Sequence, residues 1–392
     1  MSPGDRLREE EPALAERELR PTGSAAAVAG GDVVREDVNE EEMPRPQWTR
    51  RTLLLALVTV VAIVAFLYFV LPQIAGLDET WKRIERGDPW WLALAAAFAV
   101  LSFGGYVMVF QGVYAHACPR RLGPRESYQI TMAGLAATRV FAAGGAGGIA
   151  LTAWALRRAG MPARDVADRS VAFLVLTYAF YMAAMLVCGL SLDAGVLPGP
   201  APFSLTVVPA IFALICIILC LLLALTPTNL NRQLEGYASR SGRIGRFAQR
   251  AANLPAAMSA GVRIALRLAR DRDRDALLGT AAYWSFNVAV LWASFKAFGA
   301  SPPLGVLVMA YYVGMLGNLL PLPGGVGGVD GGMIGAFIAF GVDDGLAVVA
   351  VLTYRAFAFW LPTIPGAIAY FQLRKTVARW RATDPSPGYA PA

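Results

Sequence analysis

Five stretches of this chain run for at least 20 residues without one charged side chain: 52–71, 90–115, 170–192, 203–225 and 276–295. A helix needs roughly 20 apolar residues to cross the hydrocarbon of a bilayer. Five such runs in 392 residues are too many to bury in a water-soluble core. A sixth apolar stretch, 346–371, carries a single charge, Arg355. Only 16% of residues are charged, against about a quarter in soluble proteins, which excludes a large soluble catalytic domain. The expectation is an all-α polytopic membrane protein with six spanning helices.

Residues 1–50 differ in kind. Up to Arg51 the chain holds 12 acids against 8 arginines, with little apolar periodicity, and reads as a disordered cytoplasmic tail. The tail is too long and acidic for a signal peptide, and the run after it is long enough to stay in the membrane. The part that follows is therefore more basic than the overall charge of +7 suggests.

Basic residues collect in cytoplasmic loops, so they set the orientation. Arg45, Arg50 and Arg51 precede the first run, Arg120, Arg121 and Arg125 follow the second, and ten arginines from Arg232 to Arg274 follow the fourth. Arg374, Lys375, Arg379 and Arg381 follow the last. Residues 193–202 and 299–303 contain no Lys or Arg and face outward. Both termini are expected inside. The loop 72–89, with Lys82, Arg83 and Arg86 among four acids, is placed outside only by its neighbours.

This orientation leaves 128–156 bounded by inside arginines at both ends. Its 29 residues are too few for two crossings, and Gly144, Gly145, Gly147 and Gly148 lie near its middle. A re-entrant helical hairpin fits. The stretch 304–341 repeats the arrangement from the outer side, with Pro323, Gly324, Gly325, Gly327 and Gly328 at its middle. The four glycines match at a constant offset of 180. Two halves, 51–202 and 203–373, each read as helix, helix, hairpin, helix, one starting inside and the other outside. That is an inverted-topology repeat with two re-entrant helical hairpins, an arrangement that builds midplane sites in secondary transporters. A basic amphipathic loop over 226–275 interrupts the second half, and a basic cytoplasmic tail is expected over 374–392.

Glycine lets a hairpin reverse and leaves N–H groups free at the start of the next half-helix, where anions bind. It also permits tight helix packing alone, and both readings stay open. A charge at the bilayer centre costs at least ~2.5–3.5 kcal/mol, so it faces a cavity or a partner. Arg139, Asp330 and Arg355 are such charges. Asp330 and Arg355 are placed to pair, which leaves Arg139 for an anionic headgroup, and Asn318 precedes the second hairpin tip. Lys296 sits at a helix end and snorkels.

In the basic loop Ile244, Phe247, Ala251, Leu254, Met258, Val262 and Ala265 recur at helical spacing beside arginines. This suits a helix lying on the inner leaflet against anionic lipid. Positive-inside bias accounts for the arginines, so no nucleic-acid partner is expected. His116 is the one histidine, and Cys118, Cys188, Cys216 and Cys220 show no disulfide spacing. With no phosphate-binding loop and no metal cluster, neither a cofactor nor an enzymatic activity is expected.

The run from Asn318 through Pro321-Leu-Pro-Gly-Gly-Val-Gly-Gly-Val to Asp330, followed by Arg355 and by Pro362, Pro365 and Gly366, resembles the lysylphosphatidylglycerol synthase transmembrane-region family, also called the flippase-like domain family. Ala143 to Gly148, running into Leu156-Arg-Arg-Ala-Gly160, is similar to that family's first glycine motif. The resemblance covers roughly 50–375. The family often has an acid just after the first cluster, where this chain has Ile149 and Ala150, and commonly Glu where this chain has Asp330. Its best-known members carry a C-terminal aminoacyl-transfer domain. This chain ends about twenty residues after its last apolar run, so that activity is not expected here.

The resemblance implies movement of a phospholipid or polyprenyl-linked lipid between leaflets of the inner (cytoplasmic) membrane. Transport of a small soluble anion, or a scaffold for a lipid-modifying enzyme, are the alternatives. The expected partners are membrane lipids with anionic headgroups, with a homo-oligomer or a separate lipid-modifying enzyme left open.

Overall fold

The computed structural model describes residues 87–140, 146–225, 258–319, 325 and 327–383, and all their regular structure is helical. Helix α1 is Pro89–Tyr114, followed by a 3-10 turn at Ala115–Ala117. Then come α2 (Pro124–Val140), α3 (Ala146–Arg158), α4 (Ala163–Asp193), α5 (Phe203–Leu225) and α6 over 258–270. The rest is α7 (Arg274–Ala297), α8 (Leu304–Met315, extended by a 3-10 turn Leu316–Leu319), α9 (Gly328–Ala339), α10 (Asp344–Arg355) and α11 (Thr363–Thr383). A π-helical stretch, Ala356–Trp360, follows α10.

Asp residues start three of these helices. Asp88, Asp273 and Asp343 each accept a hydrogen bond from an N–H of the first turn, at 2.9 Å. Such caps satisfy donors that a helix start leaves open.

Among the described residues five helical stretches are long and apolar enough to cross a membrane: Pro89–Ala117, Ala163–Asp193, Phe203–Leu225, Arg274–Ala297 and Asp344–Trp380. The run expected at 52–71 lies outside the described residues. On α5 only Thr206, Pro209, Ala210 and Ala213 are buried, and most of its leucines and isoleucines are exposed. That pattern suits lipid as the neighbouring phase.

One expectation needs revision. The stretch 346–371 is not one straight helix, because the π-helical turn and Pro362 break it between α10 and α11. Helix α11 then continues to Thr383, so Arg374, Lys375 and Arg379 stand on its last turns. The amphipathic loop is described only from Met258. There Val262 and Ala265 are buried, and a Cβ at Gly261 would lie 2.5 Å from Val171 Cβ. In this part the helix packs on α4 at Gly261, while Met258 of the same face is exposed.

Helices α1 and α7 form the centre and run antiparallel. The Asp88 N–H donates to the Ala297 carbonyl at one end (2.9 Å), and Gly112 abuts Ala276 at the other. Between them a Cβ at Gly105 would lie 2.7 Å from the Tyr283 nitrogen, and one at Gly279 2.6 Å from that of Val109. The backbones touch because neither glycine has a side chain.

The two helix pairs α2–α3 and α8–α9 close in the same manner. Gly134 faces Thr152 in the first, and Gly314 faces Met333 and Gly332 in the second. Helix α2 packs antiparallel to α11, where Gly366 meets Met132 and Ala136 and the Thr376 hydroxyl donates to Gln129 (2.9 Å). Helix α8 packs likewise on α4, where Gly189 meets Met309 and the Tyr181 hydroxyl donates to the Tyr312 carbonyl (2.7 Å).

Candidate functional site

Asp330 and Arg355 come together as the cost of a buried charge requires. Arg355 Nε lies 2.5 Å from Asp330 Oδ1, and the two side chains are 10% and 9% exposed. Asp330 sits in the first turn of α9, where its other carboxylate oxygen accepts from the Gly327 N–H at 3.0 Å. The positive end of α9 therefore meets an acid of its own first turn. Gly327 stands at φ +84°, a conformation that glycine adopts without strain.

Tyr354 holds the pair's helix in place. Its hydroxyl lies 3.3 Å from Asn287 Oδ1 and 3.3 Å from the Tyr311 hydroxyl. Asn287 in turn donates to Ser102 at 2.5 Å, which ties α10 to α7 and α1.

Arg139 reaches the same place from α2. Its guanidinium donates to the carbonyls of Phe359 and of Ala358 (3.2 Å) and to the Thr363 hydroxyl (3.1 Å). These acceptors exist because of the break between α10 and α11. Pro362 has no N–H to return to Ala358, so that carbonyl is open to another donor. A guanidinium carries five N–H donors, and among the described residues three of Arg139's find acceptors.

Phe359 joins the two arginines. Arg139 and Arg355 lie 4.6 Å and 4.4 Å from its ring centroid, and Phe103 stands 5.9 Å from Arg139. Such cation–π contacts stabilise a charge modestly but do not neutralise it. Among the described residues the cluster holds two guanidiniums and one carboxylate, a surplus of positive charge.

Beside Phe103 a groove of about 530 Å³ opens between α1, α2 and the α10–α11 break. Its walls include Val107, Met132, Phe357 and Pro362. Its rim carries Val100 and Ile364, 69% and 64% exposed, so it opens on an apolar face.

The glycine positions divide. Gly144, Gly145, Pro323 and Gly324 lie outside the described residues. Gly147 lies in the first turn of α3, and Gly148 packs under Thr138 and the Gly134 carbonyl, leaving no room for a side chain. Gly325 is buried at φ +67° against the Asn318 side-chain oxygen, and Gly328 opens α9 with its carbonyl under Gly317. Asn318 itself is exposed, with its amide 3.4 Å from Met315 Sδ. Close packing accounts for Gly148, and for Gly317 against the Gly328 backbone, and turn geometry for Gly325 and Gly327.

Sequence reasoning missed Phe359, Thr363 and the open Ala358 carbonyl. Phe359 follows Arg355 by four residues, a spacing that places both on one helical face. Pro362 was the signal for the freed carbonyl.

Residues 53–366 match the family described as the lysylphosphatidylglycerol synthase TM region. Three similar relatives, each described as a UPF0104 membrane protein, come from Methanothermobacter thermautotrophicus. One is 37% identical over 87 residues, covering 22% of this chain and 25% of the relative. The others are 34% identical over 86 residues and 33% over 91, covering 26% and 27% of their lengths. The matched part spans about a quarter of these curated relatives.

Proposed function

The chain belongs to the lysylphosphatidylglycerol synthase TM region family, and from that premise we propose that it is a flippase-like permease. It moves a phospholipid or polyprenyl-linked lipid with an anionic headgroup between the leaflets of the cytoplasmic membrane. It catalyses no covalent step itself.

The observation that carries this reading is the surplus guanidinium beside an apolar groove. Arg139 retains donors not taken up among the described residues, and Phe103 separates it from the groove by one ring. An anionic headgroup would neutralise the surplus charge while an acyl or polyprenyl chain fills the groove. A soluble anion would use the charge and leave the groove without a role. Arg355 stands eleven residues into a run that starts at Asp344, or about 17 Å along a helix, near the middle of a ~30 Å hydrocarbon layer.

An inverted repeat of two hairpins explains how such a site would serve both leaflets. At the offset of 180, α2–α3 corresponds to α8–α9 and α1 corresponds to α7. The antiparallel packing of α1 on α7 is what inversion requires of equivalent helices, and parallel repeats would give the opposite. The partner packings, α2 on α11 and α8 on α4, exchange when the halves are exchanged. The positive-inside rule then puts both termini in the cytoplasm, with six spans.

Proteoliposomes holding a fluorescent anionic phospholipid test the proposal by quenching from the outer side. Wild-type protein should expose inner-leaflet label to the quencher, and Arg139→Gln should slow this about tenfold or more, given the strength of charge-assisted hydrogen bonds. Wild-type vesicles no faster than protein-free ones, with every headgroup tried, would overturn it.

A further inference from the structure

A second cavity lies across α2 from the groove, bounded by α1, α2, α3 and α4. It holds about 200 Å³, below the ~300–1,000 Å³ of drug-sized pockets, so it suits one headgroup fragment and not a whole lipid. Among the described residues no charged side chain lines it. Its wall combines the rings of Tyr106 and Phe173 with several hydroxyls.

Those hydroxyls are not equivalent. Tyr114 donates to Ser170 (3.1 Å), and Thr138 donates to the Gly134 carbonyl (3.0 Å). Thr131 is 5% exposed, and its hydroxyl has no hydrogen-bond partner among the described residues. A buried hydroxyl without a partner is unfavourable, so a ligand or water that supplies one is drawn in. The cavity opens past Ile149 and Leu174, apolar side chains 58% and 44% exposed, and therefore toward lipid.

At the offset of 180 that matches the glycines, Thr131 corresponds to Tyr311 and Ala153 to Met333. Tyr311 and Met333 are fully buried, and Met333 presses on Gly314. Tyr311 thus carries a buried ring at the position where Thr131 carries its hydroxyl.

We infer that this cavity binds the uncharged, hydroxyl-bearing part of a headgroup, a glycerol or sugar, with Thr131 as its hydrogen-bond partner. The Tyr106 and Phe173 rings supply the apolar wall on which the C–H groups of such a polyol rest. This names the substrate class of the transport reading and rests on that reading for the source of the ligand.

The test uses the purified full chain in detergent and compares short-chain phosphatidylglycerol with phosphatidylmethanol, which has the same phosphate charge but no hydroxyl. Wild-type protein should bind phosphatidylglycerol about tenfold more tightly, the worth of one or two hydrogen bonds. Thr131→Val should remove most of that preference without lowering the melting temperature of the unliganded protein, since the lost hydroxyl had no partner. Thr131→Tyr, which puts a bulky ring into the cavity, should abolish the preference. Equal binding of both lipids by the wild type, or a preference untouched in Thr131→Val, overturns the inference. Free glycerol and glucose form a second arm. A free polyol binding as tightly marks a soluble source, binding only on an acyl chain marks a lipid source, and both support the assignment of the cavity. Lipid movement without polyol preference overturns this inference and leaves the transport proposal standing. Polyol-selective binding without lipid movement does the reverse.

Discussion

Replacing Asp330 by Asn removes the one carboxylate from a cluster with two guanidiniums. Asp330 and Arg355 are 9% and 10% exposed and 2.5 Å apart, so the loss takes from a buried cation the carboxylate it faces among the described residues. Breaking a buried pair from one side costs about 3–5 kcal/mol. Two features move the expectation to the lower end. Asn can still accept from the Gly327 N–H, and Arg355 keeps its contact with the Phe359 ring. The expected loss is therefore about 3 kcal/mol. Arg355→Gln alone should cost a similar amount, because among the described residues Asp330 then keeps only the Gly327 N–H. The double variant Asp330→Asn/Arg355→Gln should cost less than the sum by at least ~1.5 kcal/mol, since neither charge is stranded. Unfolding in mixed micelles with increasing denaturing detergent gives all four stabilities of the cycle. Additivity within about 0.5 kcal/mol would refute the claim that these two side chains compensate one another.

Adjacent glycines on α1 should respond with opposite sign. Gly105→Ala places a Cβ 2.7 Å from backbone of α7 and should cost about 1–3 kcal/mol, whereas Gly104→Ala meets nothing within 4 Å and should gain up to ~1 kcal/mol, both read by the same unfolding measurement. Pro362→Ala restores an N–H able to close on the Ala358 carbonyl and so competes with Arg139. The ~3 kcal/mol relief of an interior proline offsets a charge-assisted hydrogen bond of ~1.5–3 kcal/mol, so stability should change by no more than about 1.5 kcal/mol. Lipid movement in proteoliposomes should nevertheless fall as in Arg139→Gln, and unchanged movement would refute the role given to the freed carbonyl.

The sequence carried the large-scale features because hydropathy and glycine placement act locally. The runs at 90–115, 170–192, 203–225 and 276–295 all lie within helices long enough to span a membrane. The pairing of Asp330 with Arg355 was legible because an intramembrane charge needs compensation. The surroundings of Arg139 were not, since its acceptors are main-chain carbonyls and no residue type announces them. The break after Arg355 was hidden because an apolar run reads through Pro362 when only hydropathy is followed. The cavity at Thr131 was invisible for a different reason. Its emptiness shows only when helices from distant parts of the chain are brought together around it.

Everything proposed for transport depends on the two halves entering the membrane in opposite senses. Ala117 follows α1 and Ala300 follows α7, both are exposed, and they occupy corresponding places in the two halves. Single cysteines at these positions, with Cys118, Cys188, Cys216 and Cys220 replaced, can be labelled in intact cells and in inverted vesicles with a membrane-impermeant thiol reagent. Inverted halves predict that Ala117→Cys reacts only from the cytoplasmic side and Ala300→Cys only from the outer side. Reaction of both from one side would contradict the account.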